Sequence, residues 1–242
     1  MILEVNNLKK IYHTKHSEIE ALKDITFSIN EGEFVAIVGP SGCGKSTILS
    51  ILCGLEDKTS GSIKTNNTKI GYMLQRDSLF PWRNIIDNCM LGLEIKKEKN
   101  KDYVLKLLNS YGLKDFIYSY PDNLSGGMKQ RVALIRTLAT KPNLLLLDEP
   151  FSALDYQSRL NISNDIYNIL KKENKTMIMV THDIGEAISM CDKVIVLTDR
   201  PAKIKNIYNI KLENKDTPIN NRRDPKFNYY YDLIWKDIDY HE

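Results

Sequence analysis

Apolar residues in this chain follow two rhythms. Unbroken apolar stretches occur at Phe34-Val35-Ala36-Ile37-Val38, Leu144-Leu145-Leu146-Leu147 and Met177-Ile178-Met179-Val180. Such runs suit strands buried on both faces, as in a parallel sheet. Ile70-Gly71-Tyr72-Met73-Leu74 and Met1-Ile2-Leu3-Glu4-Val5-Asn6 also read as strands. Elsewhere the spacing is helical: Val104, Leu105, Leu107, Leu108 and Tyr111 share one face, and Val132, Ile135, Leu138 and Ala139 another. From residue 141 onward the two rhythms alternate, at 144–147, 160–170, 177–180, 184–190 and 194–197. That alternation predicts βα crossovers and an α/β fold around a parallel sheet.

The same pattern divides a single domain, 1–242. Residues 1–84 form the first part of a core lobe with early antiparallel strands. Residues 85–140 turn helical, as an inserted lobe, and 141–212 complete the core lobe. The extension 213–242 opens with Glu213-Asn214-Lys215-Asp216-Thr217-Pro218, polar and turn-rich, where little order is expected. Beyond it Phe227, Tyr231, Leu233, Ile234 and Trp235 fit a short amphipathic helix.

Composition narrows the partners more than the fold. A net charge of +3 is too mild to argue for nucleic acid, and clusters such as Lys96-Lys97-Glu98-Lys99-Asn100-Lys101 read as solvated surface. No run approaches the ~20 apolar residues that span a bilayer, and the first residues do not form a secretory signal. Cys43, Cys53, Cys89 and Cys191 lack the spacing of a zinc site or disulfide framework, which fits a reducing cytoplasm. Cys43 sits where a helix N-terminus can lower a thiol pKa, or else simply fills a small loop position.

The candidate chemistry begins at Gly39-Pro40-Ser41-Gly42-Cys43-Gly44-Lys45-Ser46-Thr47, which fits G-x-x-x-x-G-K-[ST] between a strand and a helix beginning near Thr47. Glycines let successive N–H groups point at phosphate oxygens, and the helix N-terminus adds partial positive charge. Lys45 suits the outer phosphates, and the Ser46 hydroxyl suits Mg²⁺. Leu144–Leu147 ends in Asp148 and Glu149, at the carboxyl end of a strand where open α/β sheets bind ligands. Asp148 is placed to serve the metal, and Glu149 to polarise an attacking water. In Leu124-Ser125-Gly126-Gly127-Met128-Lys129-Gln130-Arg131, Ser125 caps a helix, and two glycines follow at a cost of roughly 1 kcal/mol each. That cost is rational where a phosphate approaches the backbone.

Together with Ser152-Ala153-Leu154-Asp155 and Thr181-His182-Asp183, these motifs resemble the ATP-binding subunits of ABC transporters, in that family's order, over about residues 3–204. The resemblance implies a P-loop NTPase of the ABC nucleotide-binding type, with ATP and Mg²⁺ as cofactors. It further implies a head-to-tail homodimer formed on ATP binding, in which Ser125, Gly126, Gly127 and Gln130 face the partner's ATP. Asp155 would bridge the subunits, His182 would touch the γ-phosphate, Tyr12 would stack on adenine, and Gln75 would sense Mg²⁺. Two integral-membrane permease subunits, and indirectly an extracytoplasmic solute-binding protein, are the implied partners, which places the chain peripherally at the cytoplasmic face of the membrane. Leu79-Phe80-Pro81-Trp82-Arg83-Asn84 would form a groove for a permease helix; the alternative is a cap on the core. That loop and Val196-Leu197-Thr198-Asp199-Arg200-Pro201 look most like importers of nitrate, alkanesulfonates, taurine or pyrimidine vitamin precursors. Ala202, where glycine is usual, and the segment 214–223 depart from that group. An exporter subunit and a non-transport ABC ATPase remain as alternatives.

Overall fold

The computed structural model describes residues 1–15, 17–152 and 154–238; Ala153 of the Ser152–Asp155 motif lies outside them. Two sheets organise the chain. The smaller is antiparallel, in the spatial order β2 (Glu18–Ile29), β1 (Leu3–His13), β4 (Ser60–Thr65). The larger runs β5 (Ile70–Met73), β6 (Leu144–Asp148), β7 (Thr176–Val180), β3 (Phe34–Val38), β8 (Lys193–Leu197), β9 (Ile204–Asn209). Its first five strands are parallel, and β9 closes the edge antiparallel to β8.

The leucine and valine runs belong to the large sheet because each strand serves two cores. Side chains alternate across a strand. Phe34, Ala36, Leu145, Leu147, Met177 and Met179 enter one hydrophobic cluster, shared with α2 (Ile85–Ile95), α3 (Lys101–Ser110), α4 (Gly126–Ala139), α5 (Tyr156–Lys172) and α6 (Ile184–Met190). Val35, Ile37, Leu144, Leu146, Ile178 and Val180 enter the other, shared with α1 (Lys45–Leu52), β1 and β2. A strand buried on both sides has no polar face to show, hence the unbroken runs.

Helix α1 begins at Lys45, two residues before the position expected near Thr47, with Gly44 as its cap residue. Tyr111 lies just past α3 as its C-cap, though it is still buried. The edge strand β9 was not foreseen, because its half-exposed Ile204-Lys205-Asn206-Ile207-Tyr208-Asn209 has neither rhythm.

The extension corrects the expectation of little order. Asp224 accepts hydrogen bonds from the backbone N–H groups of Glu213 (2.8 Å) and Asn214 (3.1 Å). The short α7 (Pro218–Asn221) is pinned by Asn221, fully buried, which donates to the Ser189 carbonyl at 2.7 Å. The amphipathic α8 (Phe227–Ile238) follows, burying Phe227 and Ile234 in the first cluster. Polar turn residues here bond to one another and, through Asn221 and Lys215, to the end of α6 and the residues after it.

Candidate nucleotide-binding site

The loop between β3 and α1 is shaped by what lies behind it. Gly44 has φ +123, and a Cβ there would come within 2.8 Å of the Leu22 side chain on β2. Any other residue would be strained at this φ and would crowd Leu22. No side chain caps α1, and its first turn carries no acid, so its N–H groups stay open to an anion. Lys45 is buried and its ammonium donates to the carbonyls of Gly39 (2.8 Å) and Pro40 (2.7 Å). A cavity of about 330 Å³ is lined by Ser41, Gly42, Gly44, Lys45, Ser46 and Thr47, with Glu149 and with Arg200, which donates to the Gly42 carbonyl. Cys43 faces the core instead, and burial pushes its thiol up despite the nearby Lys45 charge, so it fills space and is not an activated thiol.

Asp148 ends β6, one strand removed from β3. Its carboxylate accepts from the Ser46 hydroxyl at 3.0 Å and from the Tyr72 phenol at 3.2 Å. Burial raises its pKa, the bonds from Ser46 and Tyr72 oppose this, and the Glu149 charge adds to the rise. Burial and the Asp148 charge push the Tyr72 phenol up in turn, so Tyr72 stays a proton donor. Sequence reasoning missed Tyr72, which reads as one more apolar strand residue. The signal available was its place three residues before Gln75, in the strand that pairs with Leu146.

Glu149 leaves the strand with φ 45, in the left-handed region. Its N–H donates to the Val180 carbonyl at 2.9 Å, tying it to the end of β7. This turn carries its carboxylate to Gln75, whose Nε2 donates at 2.9 Å, and to His182, whose Nδ1 is 3.5 Å away. Three candidates from three separate segments therefore meet, and Glu149 sets the group against the cavity that holds Lys45. A carboxylate held this way can orient and deprotonate a water, and the imidazole beside it can donate to an oxygen anion.

The second motif lies elsewhere. Ser125 caps α4, accepting from the Met128 N–H at 3.4 Å. With Gly126 and Gly127 it lines another cavity of about 330 Å³, shared with Leu154, Asp155 and Ser158. A Cβ on Gly127 would lie 2.6 Å from Ile162 on α5, so this glycine also serves close helix packing. Asp155 caps α5 through the Ser158 N–H at 3.0 Å. Gln130 does not join the others: it is 4% exposed, faces inward, and its amide has no hydrogen-bond partner among the described residues. One turn and a half past the cap, its position on α4 rotates it into the core. Tyr12 lies on β1 with the Lys10 ammonium 4.7 Å above its ring, outside the lining of the Lys45 cavity.

The loop after Gln75 is fastened and partly bare. Asn88, fully buried, accepts from the Phe80 N–H (2.8 Å) and donates to the carbonyls of Phe80 (3.1 Å) and Arg83 (2.9 Å). Arg136 on α4 donates to the carbonyls of Asp77 (2.6 Å) and Ser78 (2.8 Å). On this base Phe80 and Trp82 stack at 5.0 Å, and Trp82 is 71% exposed. The core-cap alternative for Trp82 fails on that exposure.

A parallel sheet with a phosphate loop after one strand and paired acids after another defines a P-loop NTPase of the α/β class. Comparison with known proteins agrees. Residues 22–152 match the ABC transporter family. The uncharacterized ABC transporter ATP-binding protein YtlC of Bacillus subtilis is 44% identical, over 98% of this chain and 95% of that protein. The nitrate import ATP-binding protein NrtD of Synechocystis is 38% identical over 97% and 94%. The aliphatic sulfonates import ATP-binding protein SsuB of Bacillus cereus is 38% identical over 88% and 87%. Among solved structures, the dimeric ATP-binding cassette MJ0796, bound to ADP and Pi after hydrolysis, aligns with a TM-score of 0.77 at 30% identity, covering 87% of this chain and 99% of that one. The chain belongs to the ABC transporter family, as an ATP-binding cassette whose ATPase activity is coupled to transport.

Proposed function

We propose that this chain energises an importer of nitrate, a sulfonate, taurine or a related small solute, working as a head-to-tail homodimer. The meeting of Glu149, His182 and Gln75 beside the Lys45 cavity carries the ATPase part of this reading, and the relatives named for nitrate and sulfonate import support the solute class. The loop N–H groups and Lys45 hold the phosphates, Glu149 orients the attacking water and takes its proton, and His182 steadies the γ-phosphate. Ser46 and Asp148, 3.0 Å apart, offer oxygen donors of the hard kind that Mg²⁺ prefers, with Gln75 at the rim and substrate phosphates completing the set. When bound, Mg²⁺ neutralises charge that develops between the outer phosphates.

The two cavities share no lining residue, which suits a site completed by the Ser125–Gly127 turn and Asp155 of a second copy. Tyr12 lies outside the phosphate cavity, as a group for adenine would. The stacked Phe80–Trp82 pair, with Trp82 exposed, sits on the loop that begins at Gln75, so movement at the site reaches a permease helix resting there. Two permease subunits and an external binding protein complete the system, and the chain sits peripherally on the cytoplasmic face. Among the described residues no helix is long and apolar enough to cross a membrane. Residues 85–140 act as the lobe that carries the partner-facing turn.

Co-purification with the permeases and binding protein tests this, followed by ATP-driven uptake into proteoliposomes. Uptake of a sulfonate or nitrate, lost on omitting ATP, is the expected result. ATP-driven efflux, or failure to assemble with any membrane partner, overturns the importer reading.

A further inference from the structure

Glu186 is a buried carboxylate for which the nucleotide chemistry has no use, 3% exposed on α6. It accepts from the Thr181 hydroxyl at 2.7 Å, and Asp183, which caps α6, accepts from the Glu186 N–H at 3.0 Å. Thr181 and Asp183 flank His182 on both sides. Opposite them stands Arg159 of α5, with its side chain 20% exposed. Its guanidinium donates to Asp183 at 3.4 Å and to the Leu154 carbonyl at 3.2 Å, and its Nε lies 3.6 Å from Glu186. Leu154 immediately precedes Asp155. One planar cation thus touches the turn that carries Asp155, the turn that carries His182, and the helix behind them.

We propose that Arg159 is a positioning residue that links the Asp155 turn to the His182 turn, so that His182 is set for the γ-phosphate when a second subunit presses on Asp155. This rests on the reading of His182 and Asp155 given above. A guanidinium fork suits the task, because it presents several donors in fixed directions, whereas an ammonium is a point charge on a flexible stem. The Nε–Glu186 separation is a few tenths of an ångström beyond a hydrogen bond, and Nε has no other hydrogen-bond partner among the described residues. A small shift of the Asp155 turn toward α6 closes that contact. Arg222 of the extension lies over Gly185, where a Cβ would come within 2.6 Å of it, and gives Glu186 a second positive neighbour, so the carboxylate keeps a charge partner while Arg159 moves.

The test is a cycle of ATPase measurements on Arg159→Lys, His182→Ala and the double variant, with melting temperature and binding of a fluorescent ATP analogue to the monomer. Arg159→Lys keeps the buried charge but not the fork. It should keep the melt and nucleotide affinity and lose about 5- to 20-fold in kcat, and nearly none of that further loss should appear in the His182→Ala background. Additive losses, or wild-type kcat in Arg159→Lys, overturn the link while leaving the site reading intact. Wild-type turnover in His182→Ala overturns the site reading and the link with it. If Arg159→Lys melts early, Asp183→Asn replaces it, since asparagine keeps the cap on α6 but discharges the contact with Arg159. The same non-additivity with His182 is required of it, and additivity overturns the proposal.

Discussion

Glu149 concentrates the residue-scale argument. A non-glycine residue with positive φ stores strain of about 1–3 kcal/mol, and here the strain swings the carboxylate off the strand line toward Gln75 and His182. Glu149→Gln keeps the shape and the contact with Gln75 but removes the base. ATP hydrolysis, followed by phosphate release, should fall by about 10²–10⁴-fold while nucleotide binding persists. Gel filtration with Mg-ATP should then show a stable dimer, and ordinary turnover in this variant would remove Glu149 from the role. Lys45, Ser46, Asp148 and Glu149 were legible in the sequence because their spacing is fixed by one loop and one strand end. Tyr72, Asn88 and Arg159 were not, because each acts across a distance in sequence that only the fold closes.

At the scale of elements, Trp82 and Gly127 give opposite tests. Trp82 is a surface residue on a fastened loop, so Trp82→Ala should change folding stability by no more than about 0.5 kcal/mol. If it anchors a permease helix, binding weakens by roughly 2 kcal/mol or more. The expected pattern is an unchanged melt, near-normal hydrolysis by the free subunit, and failed co-purification. Assembly and uptake at wild-type levels would detach the loop from coupling. Gly127→Ala should instead lower the melting temperature modestly, because overpacking of the added methyl, 2.6 Å from the Ile162 side chain, costs about 1–3 kcal/mol and exceeds the roughly 1 kcal/mol that alanine gains in a helix. A raised calorimetric melt would show that the Ile162 side chain gives way and the contact is not tight. Strands with a continuous apolar run, and α4 with its Ser125 cap, were readable from sequence. Strand β9 and helix α7 were hidden because they owe their order to partners, Val196 and Ser189 among them, rather than to their own pattern.

For the whole molecule, the composite site predicts complementation. Ser125→Arg should bind ATP as a monomer but not dimerise or hydrolyse it, and Lys45→Ala should bind poorly. Mixing them allows one complete site per dimer, and recovery of part of the activity is the expected reading of a phosphate-release assay. Normal activity of Ser125→Arg alone would end the shared-site picture. Acid stability has its own anchor in Asp192. Burial raises its pKa, but the Lys215 bond, the Phe34 N–H at 2.8 Å and the charges of Lys215 and Lys171 outweigh it, and the net shift is downward. A carboxylate depressed in the folded state adds stability above its unfolded pKa and loses it as pH falls through the folded value. Asp192→Asn should therefore melt lower at pH 7, and its melting temperature should fall less steeply than the wild type's below about pH 4. Parallel melting curves from pH 7 to pH 3 would contradict this.

Strand β6 has no slack. Leu145 and Leu147 are wedged into one core and Leu144 and Leu146 into the other, with Asp148 and Glu149 at its tip. A strand gripped from both sides works as a ruler: the two cores together set how far the two carboxylates stand from the phosphate loop. The corollary is that a methylene trimmed from either core, far from any nucleotide, is felt at the tip as a misplaced acid.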